Sequence, residues 1–389
     1  ILILLFIFPI SNSFGAMVTF VQEAAVDDSS DVSDIAGIHF NVDGTKMFTM
    51  YTTVAGGVSY RQVSEYNLTT AFDVLTKSYA GDSERCVLNH GGSSINSFDL
   101  EFSSDGMKLF FVEGGNASGD DVDKVFQFDL TSPYDVSTCT YASNETSNLE
   151  DNDLQNGSNA GNRTDSNSGK SSNRLQGFEI NDDGTKIFLL YHGAGSSEKP
   201  RLLEYQLSTP YDLTTISLVT TAGIALDGQG VSNPMGVRFS PNGKRLWITS
   251  HTSSSEAVTQ ISLSVAYDTS SFTIDGSFSL NNIMQQPRGI GFSANGLKMY
   301  VGSDDDSDTE ADEVHEFNLV CPFNIIEGKC PAITENNVRT GMAIAQIEVA
   351  TRTIEHSTDT ALNRLKWIRR NKDNQNLTNL NLDLNFTNQ

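Results

Sequence analysis

The chain is 389 residues long and carries 25 Lys+Arg against 49 Asp+Glu, a net charge of −24 at pH 7. A chain of this length can bury a full core. So negative a balance argues against nucleic acid and anionic membrane surfaces as partners.

Residues 1–10 are an apolar run (Ile1-Leu2-Ile3-Leu4-Leu5-Phe6-Ile7-Phe8-Pro9-Ile10). It is too short to span a bilayer and the right length for the core of a signal peptide. Ser13-Phe14-Gly15-Ala16 supplies small residues for cleavage, so residues 1–16 are expected to be a signal peptide. No Met or basic residue precedes the run, and the expectation is that the chain is incomplete at this end. No other stretch is apolar and long enough to cross a membrane.

Val18-Thr19-Phe20-Val21 reads as a lone strand ahead of a repeat. The repeat is marked by Asp43-Gly44, Asp105-Gly106, Asp183-Gly184, Asn242-Gly243 and Asn295-Gly296. Such pairs supply the positive φ of hairpin turns, and a lysine follows each one: Lys46, Lys108, Lys186, Lys244 and Lys298. An alternating run precedes each turn, as in Leu100-Glu101-Phe102, and an apolar run follows, as in Leu109-Phe110-Phe111-Val112. These are two strands of a hairpin. A third strand with period-two alternation comes next, for example Leu202-Leu203-Glu204-Tyr205-Gln206-Leu207. Then a second turn recurs: Ala71-Phe72-Asp73, Pro133-Tyr134-Asp135, Pro210-Tyr211-Asp212, Ala266-Tyr267-Asp268 and Pro322-Phe323-Asn324. An outer strand such as Ser217-Leu218-Val219 follows in four of the five units.

Four antiparallel strands repeated at this period define an all-β chain: a single β-propeller of five four-stranded blades over residues 17–332. The fifth unit lacks an outer strand, and Val18–Val21 is expected to supply it and close the ring, removing an open edge. Six blades would require a degenerate unit. The phrase Phe-Ser-x-Asp/Asn-Gly-x-Lys-Leu/Met-Phe/Tyr-Val, seen over about residues 18–325, resembles the tryptophan–aspartate and YVTN-type propeller repeats of bacterial extracellular proteins. That resemblance implies the fold. Propellers host hydrolases, lectin-like binders and interaction surfaces alike.

Residues 143–174 are rich in Asn, Ser, Asp and Gly and read as a loop inserted between blades two and three. Gly169-Lys170-Ser171 resembles the end of a phosphate loop, but Thr164 stands where that motif needs glycine. Of the four cysteines, Cys321 and Cys330 flank a short segment after the last blade strand, and Cys86 and Cys139 occupy comparable outer regions of blades one and two. Disulfides Cys321–Cys330 and Cys86–Cys139 are expected, with free structural thiols as the alternative.

Two sets of residues are candidate sites. The first is the middle residue of each innermost strand: His39, Glu101, Glu179, Arg238 and, in blade five, Gly291. Equivalent positions should ring the central channel, where His39, Glu101, Glu179 and Arg238 could bind a polar ligand or an ion. Pairing across blades, Glu179 with Arg238, is the simpler reading of the same residues. The second is the acidic run from Asp304 to Glu313, in which Asp304, Asp306 and Asp308 could hold calcium. The run lacks the glycine and terminal glutamate of an EF-hand, which favours a solvated loop; Gly119-Asp120-Asp121-Val122-Asp123 in blade two reads the same way. Of the scattered histidines, His192 and His251 both follow second strands and so could share a rim.

After Pro331 the pattern changes. Ile347, Ala350 and Ile354, then Ala361, Leu365 and Ile368, recur at helical spacing, predicting an α-helical linker over residues 333–372 and a polar Asn-rich tail over 373–389. Thr340-Gly341-Met342-Ala343-Ile344-Ala345-Gln346 and Leu362-Asn363-Arg364-Leu365-Lys366-Trp367-Ile368-Arg369-Arg370-Asn371 resemble the passenger-to-translocator linker of a bacterial autotransporter-like surface protein. That family displays a passenger outside the cell and carries a C-terminal outer-membrane barrel; the strands of such a barrel are not in this sequence. The alternative is a helical appendage packed on the propeller.

No catalytic motif is present: there is no His-Glu-x-x-His and no Gly-x-Ser-x-Gly. The sequence therefore reads as a non-catalytic binding module, secreted or held on the extracellular face of an outer membrane. Its expected partner is an extracellular protein or glycan, and it needs no cofactor beyond possible calcium. A metal-dependent propeller hydrolase or lyase using the channel residues is the alternative, and a structural spacer is the second.

Overall fold

The computed structural model describes residues 17–26, 32–55, 58–88, 97–113, 124–146, 149, 174–192, 200–219, 223–252, 255–304 and 312–328. The expected signal peptide, helical linker and Asn-rich tail lie outside the described residues.

Strand β1 (Val18–Ala25) opens the described chain. Blade one is β2 (Val32–Phe40), β3 (Lys46–Ala55), β4 (Val58–Leu68) and β5 (Lys77–Tyr79), with β6 (Arg85–Leu88) also on β4. Blade two is β7 (Ser97–Phe102), β8 (Lys108–Glu113), β9 (Lys124–Asp129) and β10 (Thr140–Glu145). Blade three is β11 (Arg174–Ile180), β12 (Lys186–His192), β13 (Arg201–Leu207) and β14 (Ile216–Leu218), with β15 (Ile224–Ala225) also on β13. Blade four is β16 (Pro234–Phe239), β17 (Arg245–Thr252), β18 (Ser255–Leu263) and β19 (Phe272–Ser279). Blade five is β20 (Pro287–Phe292), β21 (Lys298–Ser303) and β22 (Glu313–Leu319), and its outer strand is β1. The first strands of the blades touch in a closed cycle, β2 to β7, β11, β16, β20 and back to β2. The molecule is a five-bladed β-propeller, and the expected closure by the N-terminal strand is present, with Val18 opposite Leu319 and Ala24 opposite Val314.

The core lies between blades. Phe48, Met50 and Val63 of blade one pack with Leu100, Leu109 and Phe111 of blade two. The intervening Phe110 and Val112 face the other way, onto Leu175, Phe178 and Ile187 of blade three. A strand buried on both faces needs an unbroken apolar run rather than alternation, which explains the second-strand sequences.

The first turn is a longer loop than the expected tight hairpin. In blade one Asn41 N donates to Lys46 O at 3.2 Å and Gly44 N to Asn41 O at 3.0 Å, while Asp43 accepts from Thr45 N at 3.0 Å. Gly44 takes φ +71°, and a Cβ there would stand 2.2 Å from the Phe72 ring. Glycine is thus required twice, for its backbone and for the aromatic ring that lies on it. The same ring-on-glycine contact pairs Gly106 with Tyr134, Gly184 with Tyr211, Gly243 with Tyr267 and Gly296 with Phe323. All five aromatics adopt positive φ, between 52° and 60°. The sequence did not announce that conformation.

A polar side chain of the preceding blade holds each of these turns, and in three of the five it is the recurrent lysine. Lys46 Nζ reaches Glu65 at 2.6 Å and the Tyr134 carbonyl at 3.1 Å. Lys186 spans Glu204 and the Tyr267 carbonyl, and Lys298 spans Glu316 and the Phe72 carbonyl. In blade four the residue in register is Arg245, not Lys244, and its Nη1 donates to Phe323 O at 2.8 Å. In blade two Lys108 turns to Asp129, and Asn144 Nδ2 donates to the Tyr211 carbonyl at 3.0 Å instead. Asn144 belongs to β10, so the outer strand continues through Glu145 and the polar insertion starts later than residue 143.

The Cys86–Cys139 disulfide joins blades one and two, as expected. Cys321 is also disulfide-bonded, and Cys330, its expected partner, lies outside the described residues.

Candidate functional site

In each inner strand the residues flanking the candidate position, such as Ile38 and Phe40, are buried against the neighbouring blade. Period-two alternation then aims the middle side chain at the axis. His39, Glu101, Glu179, Arg238 and Gly291 accordingly line one cavity of about 360 Å³. Asn41, Ser103, Asn181, Ser240 and Ser293, just past the inner strands, also line it, and each side-chain oxygen accepts from the backbone N–H five residues on in its own turn. The turn aromatics Phe72, Tyr134, Tyr211, Tyr267 and Phe323 stand around it.

The charged residues converge, and the cation they converge on is the guanidinium of Arg238. Its Nη1 hydrogen-bonds the Glu101 carboxylate and lies 3.2 Å from Glu179 Oε2, while its Nε donates to Ile290 O at 3.2 Å. His39 Nδ1 stands 3.4 Å from the other Glu101 oxygen. The expected pairing of Glu179 with Arg238 is present and extends to Glu101.

The two glutamates are not equivalent. Burial pushes the Glu101 carboxyl up, but Arg238 and His39 outweigh it and hold the group below the ordinary range. Glu179 is pushed well above that range by burial, with Glu101 and Asp99 adding to the effect and Arg238 opposing it. Two carboxyls 78 residues apart in sequence thus meet at one cation, the first held towards its ionised form and the second towards its protonated form.

Sequence reasoning missed a third acid. Two residues before each candidate position stand Gly37, Asp99, Gly177, Gly236 and Gly289. Four glycines are required because the inner strands nearly touch: a Cβ would lie 2.8 Å from Met235 O at Gly177 and 2.6 Å from Arg288 O at Gly236. Asp99 replaces glycine in blade two. It is 3% exposed. Its Oδ1 accepts from Leu100 N at 2.9 Å and its Oδ2 from Phe178 N at 3.3 Å. Burial raises its pKa to about 8, Arg238 opposing the rise and Glu101 adding to it. Lining up the repeats would have exposed it as the odd member of a glycine set.

The acidic loop is only partly described. Asp304 is buried and accepts from Arg288 Nε at 3.0 Å, so its carboxylate is already paired; Asp306, Asp308 and the blade-two acidic loop lie outside the described residues. His192 ends β12, and His251 in β17 faces Glu256 at 3.5 Å.

No protein-family model matches the chain, and no curated protein matches it. Among solved structures, the chain is similar to the GH43_1 enzyme from Xanthomonas citri complexed with xylotriose, at 10% identity over 76% of this chain and 89% of that one, TM-score 0.45. It is similar to the PQQ-bound aldose sugar dehydrogenase from Streptomyces coelicolor, at 11% identity over 77% and 97% of the two chains, TM-score 0.41. A functionally unknown protein from Desulfotomaculum acetoxidans matches at 12% identity over 70% of this chain and 66% of its own, TM-score 0.36. None of these likenesses carries a functional argument.

Proposed function

We propose that this protein is an exported β-propeller that binds a small, hydroxyl-rich ligand, a glycan end or free oligosaccharide, in the axial cavity. The observation that carries the reading is the cavity's make-up: an ion-paired acidic floor, a ring of serine and asparagine, and five aromatic side chains around one opening of about 360 Å³. Aromatic faces suit the apolar faces of sugar rings, and carboxylates and amides suit hydroxyls. Export rests on the Cys86–Cys139 disulfide, which belongs in an oxidising compartment, and on the apolar N-terminal run. Display at the extracellular face of an outer membrane, with residues 333–372 as linker, is the extension of that reading.

The test is calorimetric titration of the full chain with neutral oligosaccharides. Binding weakened at least tenfold by Glu101→Gln and by Tyr211→Ala supports the reading; binding indifferent to both, or absent across the panel, overturns it.

A hydrolytic reading has one observation in its favour: the opposed shifts of Glu101 and Glu179. Adjacent carboxyls with pKa values driven apart are the hallmark of an acid–base pair, as in glycoside hydrolysis. Glu179 would protonate the leaving group and Glu101 would serve as base or nucleophile. Release of reducing ends that Glu179→Gln abolishes, with binding retained, would establish it. Binding without turnover would leave the protein as a receptor.

A further inference from the structure

Away from the axis, the ring-closing seam carries a cluster that the channel does not use. Glu23 on β1 pairs directly with His315 on β22, and Ala25 pairs with Glu313. Residues two apart on a strand share a face, so Glu23, Glu313 and His315 stand together and the small Ala25 leaves the space between them open. One oxygen from each glutamate and one imidazole nitrogen lie within 4.8 Å of one another.

The second observation is the state of His315. It is 1% exposed, and neither ring nitrogen has a hydrogen bond. Its nearest polar neighbours are Glu23 Oε2, 3.5 Å from Nδ1, and Glu313 Oε2, 3.4 Å from Nε2. Native interiors seldom leave buried polar atoms unmatched, and each such atom asks for an explanation. A neutral imidazole carries a lone pair on one ring nitrogen, the form in which histidine binds a metal ion. Bonds of about 2.0–2.2 Å to a tetrahedral ion put its ligand atoms roughly 3.4 Å apart, so three ligand atoms already within 4.8 Å of one another need only close in slightly on one imidazole nitrogen.

We propose that Glu23, Glu313 and His315 form a site for a divalent transition-metal ion, Zn²⁺ or a close relative, that clasps the N-terminal strand to blade five. Imidazole with two carboxylates suits zinc better than calcium, which prefers six or more oxygens. Three protein ligands leave a fourth position for water. Phe20 lies beside the cluster, its ring 5.8 Å from that of His315. The ion's ligands come from both strands of the pair that closes the ring, so bound metal stabilises the closed form by mass action.

The experiment uses the full chain, stripped with chelator and titrated with Zn²⁺ by calorimetry and with Co²⁺ by visible absorption. The expected result is saturable Zn²⁺ binding, a Co²⁺ spectrum of tetrahedral intensity, and a melting temperature that rises with Zn²⁺. Glu23→Gln alters an exposed side chain and leaves folding intact; it should weaken binding roughly tenfold or more and abolish the rise. Glu313→Gln should do the same. Absence of Zn²⁺ binding, or Glu23→Gln and Glu313→Gln variants that bind and melt like the parent chain, overturns the proposal.

Discussion

The junction of blades three and four and the junction of blades one and two are built from the same phrase and finished differently. At the first, Lys186 joins Glu204 to the Tyr267 carbonyl, and the second Glu204 oxygen accepts from Thr269 N at 2.9 Å and Thr269 Oγ1 at 2.8 Å. At the second, Lys46 joins Glu65 to the Tyr134 carbonyl, but Glu65 Oε2 is buried without a hydrogen bond. Burial then raises the Glu65 pKa against the pull of Lys46. The junction with the incomplete clasp is the one that carries the Cys86–Cys139 disulfide. A polar clasp and a covalent link are thus alternative ways of satisfying the same demand, that a turn at positive φ be held by its neighbour.

The largest expected effect comes from the covalent link. Cys86→Ser with Cys139→Ser opens a loop with a sequence separation of 53, and chain entropy sets the loss at about 4 kcal/mol. Guanidinium unfolding of the variant against the parent measures it. Lys186→Met should cost about 3 kcal/mol because it strands the buried Glu204 carboxylate. Lys46→Met should cost less, about 1–2 kcal/mol, because Glu65 is already under-satisfied and takes up a proton more readily. Equal losses at the two lysines would break the comparison.

The smallest effect is the most pH-specific. The folded-state pKa of Asp99 lies above its unfolded value. Its stabilising contribution is therefore fully present below the unfolded value near 4 and is lost as pH rises towards about 8. Asp99→Asn should be close to neutral at pH 4 and more stable than the parent at pH 8. Unfolding curves at the two pH values, parent against variant, check the sign.

Much of the fold was legible because each repeat states the same physical need. Asp43-Gly44 and its counterparts mark positive φ, the apolar runs after them mark strands buried on both faces, and the missing outer strand of blade five points back to Val18–Val21. Asn144 was hidden because it lies in a stretch whose composition reads as loop, although it replaces a lysine–glutamate pair in holding Tyr211. Lys244 was taken one residue out of register with Arg245 because both are basic, although the other four lysines stand two residues after the turn glycine, where this unit has Arg245. At the axis, His39, Glu101, Glu179 and Arg238 were legible as a set, but their convergence on one guanidinium depends on blade geometry. Asp99 was overlooked because a glycine position draws notice only when the repeats are lined up. Glu23 and His315 meet only after the ring closes, so no local pattern reports them.

Repeat symmetry at the clasps and broken symmetry at the axis divide the molecule into what holds it together and what it presents to a ligand. The most direct test of that division is titration of the full chain with neutral oligosaccharides, comparing the parent with Glu101→Gln at the axis and with the Cys86→Ser, Cys139→Ser double variant at the outer link. The account predicts that Glu101→Gln loses at least tenfold in affinity while the double variant, though less stable, binds as the parent does. Affinity lost at the outer link and kept at the axis, or no binding by the parent chain, would contradict it.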